Sequence, residues 1–497
     1  MKKIVAKLFA KFIVWRNKKW IENPIKAQEK TLRFLIKKAI KTKFGIDHDF
    51  KSIKNYEDFK SKVSVNDYEQ IRPYIELIKE GKKNILWPGT PVYFAKTSGT
   101  TSGVKYIPIT KESMPTHINS ARDAILNYIE QTGKVDFVNG KQIFIQGSPV
   151  LENLNGISIG RLSGIAAHFV PSYLQKNRMP SWKTNCIEDW EHKVDAIVNE
   201  TVNENMTVIG GIPSWVQMYF EKLISFSGHK VGKQFPNFSL FIFGGVNFDP
   251  YKGLFYKLIG RKIDSIELFP ASEGFFAYQD KVDEQGLLLL LNNGIFYEFI
   301  EADKFFDSEH ERISLKKVKL GVNYVMILSS TAGLWSYNIG DTVRFVSDKP
   351  YKLVVTGRIK HFISAFGEHV IGKEVETALN NIVKSTLIEV REFTVAPQIN
   401  PIKGLPFHDW FIDFKTPPNN INEFSKALDI EMRKQNIYYD DLIKGKVLSP
   451  IKISLVADHG FEKYMKEIGK LGGQNKVPRL SNDRKIADRL SLKMDHE

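Results

Sequence analysis

Apolar and polar positions change rhythm along this chain, and the changes mark its blocks. Near the N-terminus the rows Ile4/Leu8/Phe12 and Val5/Phe9/Ile13 follow helical spacing, with Lys3, Lys7 and Lys11 alongside. Pro24 suits a helix start, and Ile25, Leu32, Leu35, Ile36 and Ala39 give a second helical stripe before Gly45. Short helices and loops continue to Pro88. Beyond it, strand-sized runs at 142–146, 207–209, 240–243 and 265–269 alternate with amphipathic stretches at 190–202 and 214–224. This alternation predicts α/β layers in which helices cover sheets. A β-rich portion follows, with runs at 287–291, 295–300, 324–328, 342–346 and 351–355. The texture changes at 356–361, after which 372–382 reads as a helix and 388–395, 410–414 and 451–456 as strands. The block 360–497 has the size of a small α+β domain. No internal repeat or low-complexity tract interrupts the pattern.

Composition narrows the class. Of 497 residues, 42% are hydrophobic and 26% charged, which is ordinary for a soluble globular protein. No apolar run approaches the roughly 20 residues a membrane span needs. Lys7 and Lys11 interrupt the apolar N-terminus, and no small-residue cleavage site follows, so a secretion signal is not expected. The single cysteine, Cys186, excludes an internal disulfide and suits a reducing compartment. A cytoplasmic location is the expectation.

The net charge of +15 invites a nucleic-acid reading until it is located. Residues 1–43 hold fourteen Lys or Arg against two Glu, so the rest of the chain is close to neutral. No recognisable nucleic-acid-binding module accompanies that charge, and no nucleic-acid partner is expected. A basic amphipathic helix can make weak peripheral contact with an anionic membrane. The ordinary alternative has its apolar face packed on its own domain and its lysines solvated. The packed reading is the expected one.

Five motifs carry candidate chemistry. The run 95–105 places five hydroxyls and two glycines in the seven residues from Thr97 to Gly103, ending at Lys105. Such a loop presents N–H groups and hydroxyls to phosphate oxygens, with Lys105 as a point charge. Its spacing is not that of a Walker loop. At 268–274, an apolar strand ends in Phe269, Ser272 and Glu273. An aromatic can stack on a base, and a carboxylate can hold Mg²⁺ that also touches phosphates; a Ser-Glu helix cap reads equally well. At 337–341 a Tyr-Asn-Ile-Gly-Asp turn offers Asp341 to ribose hydroxyls. At 356–361 a strand ends in the charged junction carrying Arg358, suited to a hinge. Gly472 to Arg479 is a Gly-led loop bearing Lys476.

In this order the five motifs resemble those of the adenylate-forming superfamily, and in detail the auxin-responsive Gretchen Hagen family of acyl-acid amido synthetases. The Thr-Ser-Gly-Thr-Thr loop, the Ala-Ser-Glu turn, the Tyr-x-x-Gly-Asp turn and the Gln-x-Lys-x-Pro-Arg tail carry the likeness. It implies an α/β fold with a large multi-sheet N-terminal adenylation domain over 1–357. A hinge would join that domain to a smaller mobile α+β domain over 358–497. It also implies ATP with Mg²⁺, a small carboxylate, an amino acid acceptor, and amide formation through an acyl-adenylate. By resemblance, Ser98, Thr100 and Thr101 are the phosphate-loop hydroxyls, and Gly244 and Gly245 the adenine-side turn. Phe269 is the adenine-stacking ring, Ser272 the α-phosphate contact, and Glu273 the Mg²⁺ contact. Asp341 is the ribose anchor, Arg358 its neighbour, and Lys476 the catalytic lysine of the small domain. Phe269-Pro270 departs from the family's tyrosine and small residue. Lys360-His361 stands where many adenylate formers have Lys-Asp.

Other readings compete. Coenzyme A could replace the amine as acceptor with the same adenylation motifs. Gly156-Ile-Ser-Ile-Gly160 matches a nucleophile elbow, which would make Ser158 the nucleophile of a hydrolase. A non-enzymatic nucleotide-binding or peripheral-membrane protein is the remaining alternative. Eleven histidines and one cysteine show no metal-ligand spacing, so any Mg²⁺ arrives with ATP. A monomer is expected.

Overall fold

The computed structural model describes residues 2–100, 103–171, 175–245, 248–282, 284–305, 307, 310–359, 362–363, 365–368, 370–384, 386–468 and 477–491. Two compact units form. The first holds Met1–Thr97, Lys105–Glu188 and Lys193–Ile359, and the second Ser98–Val104, Asp189–His192 and Lys360–Glu497.

The strands begin with β1 (Tyr93–Thr100) and β2 (Gly103–Ile109), of which Tyr93–Thr97 and Lys105–Ile109 belong to the first unit. Next come β3 (Lys141–Ile145), the hairpin of β4 (Glu152–Leu154) and β5 (Ile157–Gly160), and the short β6 (Arg178–Met179). Then follow β7 (Met206–Gly211), β8 (Leu240–Gly244) and β9 (Asp264–Ala271). Neighbours in the series β6, β3, β7, β8, β9 run parallel. Parallel strands are covered on both faces, so they read as unbroken apolar runs. Every residue of β7 is buried, and so are Leu240 to Phe243 of β8.

The β-rich portion turns antiparallel. It comprises β10 (Gly274–Tyr278), β11 (Leu287–Leu289), β12 (Ile295–Glu301), β13 (Ile313–Ser314), β14 (Asn323–Ser330), β15 (Tyr337–Asp348) and β16 (Tyr351–Arg358). Both halves join in one sheet of twelve strands among the described residues. A separate four-stranded sheet has the order β2-β1-β5-β4.

Helices α1 (Lys2–Ile21) and α2 (Pro24–Ala39) open the chain, followed by α3 (Tyr68–Lys79), α4 (Met114–Thr132) and α5 (Pro213–Ser227). The stripe read on α2 is buried at Leu32, Leu35, Ile36 and Ala39. Gln28, which no periodicity singles out, joins α2 to the sheet. Its amide donates to the carbonyls of Leu291 (3.1 Å) and Ile295 (2.9 Å) and accepts from Tyr297 N–H (2.8 Å). Such a buried amide is tolerated because both ends are satisfied. On α1 the expected face does not pack. Ala10, Ile13, Asn17 and Trp20 are buried, α1 lies along α4, and Arg16 Nη2 meets Asp123 at 2.9 Å. Ile4, Val5, Leu8 and Phe12 stay exposed, so only Ile13 of the two predicted rows is in the core.

In the second unit, β17 (Phe362–Ile363) pairs with β18 (Val370–Ile371), and α6 (Gly372–Val383) follows. Strands β19 (Glu389–Gln398) and β20 (Phe407–Thr416) pair antiparallel. After α7 (Ile421–Gln435), β21 (Lys452–Leu455) pairs parallel with β20. A parallel neighbour needs a crossover, and α7 lies within it. Glu368 and His408 form a fully buried pair at 2.8 Å here.

Candidate functional site

Two strand pairs of the first unit build the site. In the hairpin of β9 and β10, Ala271 pairs with Gly274, leaving Ser272 and Glu273 as the turn residues. The helix-cap reading of Ser-Glu is therefore replaced by a hairpin tip. In the second pair, Asp341 of β15 stands in direct register with Arg358 of β16. The expected turn at 337–341 is instead the start of a long strand containing a bulge. Asn338 pairs with Ile327 and Thr342 with Val325, so β15 carries extra residues against β14. Gly340 absorbs the distortion at φ +87°. Its N–H donates to Asn338 Oδ1 (2.8 Å), and its carbonyl accepts from Ile359 N–H (2.8 Å). A bulge uses the same Asn, Gly and Asp chemistry as a turn, which is why the sequence reads as one.

The bulge aims Asp341 at Arg358, with Nε 3.0 Å from Oδ1. The Arg358 Nη2 also donates to the Ile339 carbonyl. A Cβ on residue 340 would lie 3.0 Å from Nη2 and 3.2 Å from Nε, so glycine is required both for conformation and for space.

Charges of both signs share this corner. Burial raises the Glu273 carboxyl above its ordinary value; Lys105 and Arg358 oppose the rise, and Asp341 adds to it. Burial likewise raises Asp341, against the pull of Arg358 and Lys105. These mutual effects set Glu273, Asp341, Arg358 and Lys105 within one field. Two partly buried carboxylates in such a field gain from added positive charge. Tyr337 lies beside them. Its phenol is raised well above the usual value, first by burial and then by Glu273, so it remains a donor. Its hydroxyl is buried and has no hydrogen-bond partner among the described residues. An orphaned donor beside two carboxylates and two cations fits a polar, oxygen-rich ligand such as a nucleotide.

Gly244 ends β8 where a Cβ would meet the Leu268 carbonyl at 2.5 Å, so the backbones of β8 and β9 approach closely there. Gly245 follows at φ +83° with open space around it. The register partner of Gly244 is Leu268, next to Phe269. The Phe269 ring is 8% exposed and packs edge-on against Phe276 at 5.1 Å, inside the core. The described part of the phosphate-loop segment lies in the neighbouring strands β1 and β2, with Ser98 and Thr100 in β1. Thr101 and Lys476 lie outside the described residues, as do Lys360 and His361.

Sequence reasoning gave Lys105 only a point charge and gave Tyr337 no role. The tyrosine opens the Tyr-x-x-Gly-Asp motif, and that position was the available signal. Tyr68 of α3 also influences Tyr337 and accepts from Tyr106 N–H at 2.9 Å, with no motif to mark it. Ser158 is excluded as an elbow nucleophile. It lies within β5, paired with Tyr93 and Asn153, rather than on a turn between strand and helix.

Known proteins resemble this chain in sequence and in fold. An indole-3-acetic acid-amido synthetase of Arabidopsis thaliana, GH3.3, is 23% identical over 228 residues. The match covers 43% of this chain and only 38% of that protein's length. A jasmonoyl-L-amino acid synthetase of Oryza sativa subsp. japonica, GH3.5, is 21% identical over 511 residues, 86% of this chain and 87% of the other. The AtGH3.15 acyl acid amido synthetase in complex with 2,4-DB has the same fold, with a TM-score of 0.61 at 16% identity. That likeness covers 97% of this chain and 96% of that one. The GH3 family N-terminal domain matches residues 16–181, its central domain 288–358 and its C-terminal domain 373–485. With all three family domains in order along its length, this chain belongs to the GH3 family.

Proposed function

We propose that this protein uses ATP to activate a small carboxylic acid as an acyl-adenylate and passes the acyl group to an amino acid amine. The observation that carries the reading is the convergence of Glu273, Asp341, Arg358 and Lys105 beside the unpartnered Tyr337 hydroxyl. The family's named relatives support it. A carboxylate oxygen attacks the α-phosphorus, and the bond to pyrophosphate breaks. An amine nitrogen then attacks the acyl carbon, loses a proton, and AMP departs.

Asp341 anchors the ribose while Arg358 fixes its carboxylate. Lys105, with Ser98, Thr100 and Thr101, meets phosphate, and Ser272 contacts the α-phosphate. Glu273 would hold Mg²⁺, whose charge neutralises phosphate oxygens. A single protein carboxylate suits a metal that keeps phosphate and water as its remaining ligands. Gly244 and Gly245 border the base, with Phe269 behind them supporting that wall. Lys476 supplies charge during adenylation. The functional division falls at 357/358, and the protein acts as a cytoplasmic monomer.

The test is ATP-dependent pyrophosphate release across a panel of carboxylic acids. Coenzyme A and the twenty amino acids are then offered separately, and products are identified by mass. Amide from an amino acid is expected. Thioester without any amide would make coenzyme A the acceptor. No release with any acid would overturn the adenylation reading.

A further inference from the structure

Helix α1 carries two apolar faces. One, built on Ala10, Ile13, Asn17 and Trp20, is buried along α4. At 100° per residue the other lies diametrically opposite, on Ile4, Leu8 and Trp15, with Phe12 and Val5 at its edge. These five side chains are 65%, 65%, 69%, 51% and 59% exposed, respectively. The Phe12 and Trp15 rings contact each other at 6.1 Å. A stripe of this length on a water-soluble helix is what an absent partner leaves behind.

The charges around the stripe identify that partner. No acidic residue occurs between Lys2 and Ile21. Lys7, Lys11 and Lys18 border the stripe on one side, and Lys19 lies beside Trp15 and Phe12 on the other. All four are exposed. Lys11 and Lys19 make no ion pair among the described residues. The exposed Lys26 and Lys30 extend the positive field onto α2. A second copy of α1 would bring lysines against lysines, so charge argues against self-association through this face. An apolar ridge bearing tryptophan and phenylalanine, flanked by long basic side chains, suits the boundary between headgroups and acyl chains. There the lysine stems lie along apolar surface while their amines meet lipid phosphates.

We infer that the outward face of α1 is a docking surface for an anionic lipid bilayer, holding the protein at a membrane by its first helix without crossing it. The inward face fixes the helix to α4, so the docking surface is preformed and needs no folding on contact.

The experiment uses the full chain and vesicles of phosphatidylcholine, alone or mixed with phosphatidylglycerol in equal parts, in a co-sedimentation assay. Binding to the mixed vesicles is expected, weakening as salt rises, with little binding to phosphatidylcholine alone. Each lysine at an anionic surface contributes roughly a fivefold factor in partitioning, so Lys11→Glu with Lys19→Glu should reduce binding by well over tenfold. Leu8→Ser with Phe12→Ser should abolish it. Both pairs project into solvent, so the melting temperature and pyrophosphate release should be unchanged. Wild-type protein that ignores both vesicle types would overturn the inference, as would binding that both variant pairs retain. Concentration-dependent dimerisation lost in the Leu8/Phe12 variant would assign the face to a protein interface and overturn it equally.

Discussion

Arg358 Nε stands 3.0 Å from Asp341 Oδ1, across two strands that hold the residues in direct register. The side chains are 27% and 18% exposed, so neither charge is fully hydrated. Asp341 therefore serves two ends, holding a guanidinium and, in the proposed reaction, a ribose. Asp341→Ala should raise the KM for ATP in pyrophosphate release by about tenfold or more. Hydrogen bonds to a charged group contribute roughly 1.5–3 kcal/mol each. The melting temperature should also fall, because Arg358 loses its carboxylate. An unchanged KM would remove Asp341 from the site.

Gly340→Ala tests the bulge. The substitution forces a Cβ against the Arg358 guanidinium and a positive φ on a residue that resists it. A loss of about 1–3 kcal/mol in denaturant unfolding is expected. The KM for ATP should rise because Arg358 and Asp341 are displaced together. Full stability with normal ATP kinetics would show that the bulge tolerates a side chain.

Glu374 gives a pH signature in the second unit. It is buried, accepts from Ile371 N–H (2.9 Å) and Asn436 Nδ2 (3.0 Å), and burial pushes its carboxyl up to about 7. A folded carboxyl that binds its proton more tightly than the unfolded one favours folding at low pH. That contribution is fully present below the ordinary value of 4.5 and is lost as pH rises through about 7. Glu374→Gln keeps an acceptor and removes the titration. Stability measured from pH 4.5 to 7 should decline less in the variant, by up to about 1.4 kcal/mol per pH unit. Parallel pH profiles would show that Glu374 does not titrate in this window.

Lys476→Ala should slow acyl-AMP formation by about a hundredfold or more, the range for a lost electrostatic stabiliser. Amide formation from a supplied acyl-adenylate should be spared. Single-turnover rates for the two half-reactions provide the measurement. An equal fall in both would reject the assignment.

Much of the fold was legible because its strands are uniform in environment. The runs at 207–209 and 240–243 read as buried strands, being covered on both faces, and they became β7 and β8. The site was legible as motifs but not as geometry. Gly340-Asp341 looked like a surface turn, since bulges and turns draw on the same residues. Phe269 reads by resemblance as the adenine-stacking ring, and only the fold shows that it also packs on Phe276. Tyr68, which acts on Tyr337, carries no local signature at all.

By itself the sequence determined the order of elements, the change from alternating to β-rich texture, and five motifs whose succession points to one family. Those properties are local, set by side-chain periodicity, turn chemistry and short spacing. Only the tertiary structure decided that Asp341 faces Arg358, that Lys105 shares a field with Glu273, and that Tyr337 keeps an unpartnered hydroxyl. It also decided which apolar face of α1 found α4 and which stayed in water. The physical reason is that periodicity states how apolar positions are spaced around a helix or strand. Which partner each face meets depends on register and packing between segments far apart in the chain.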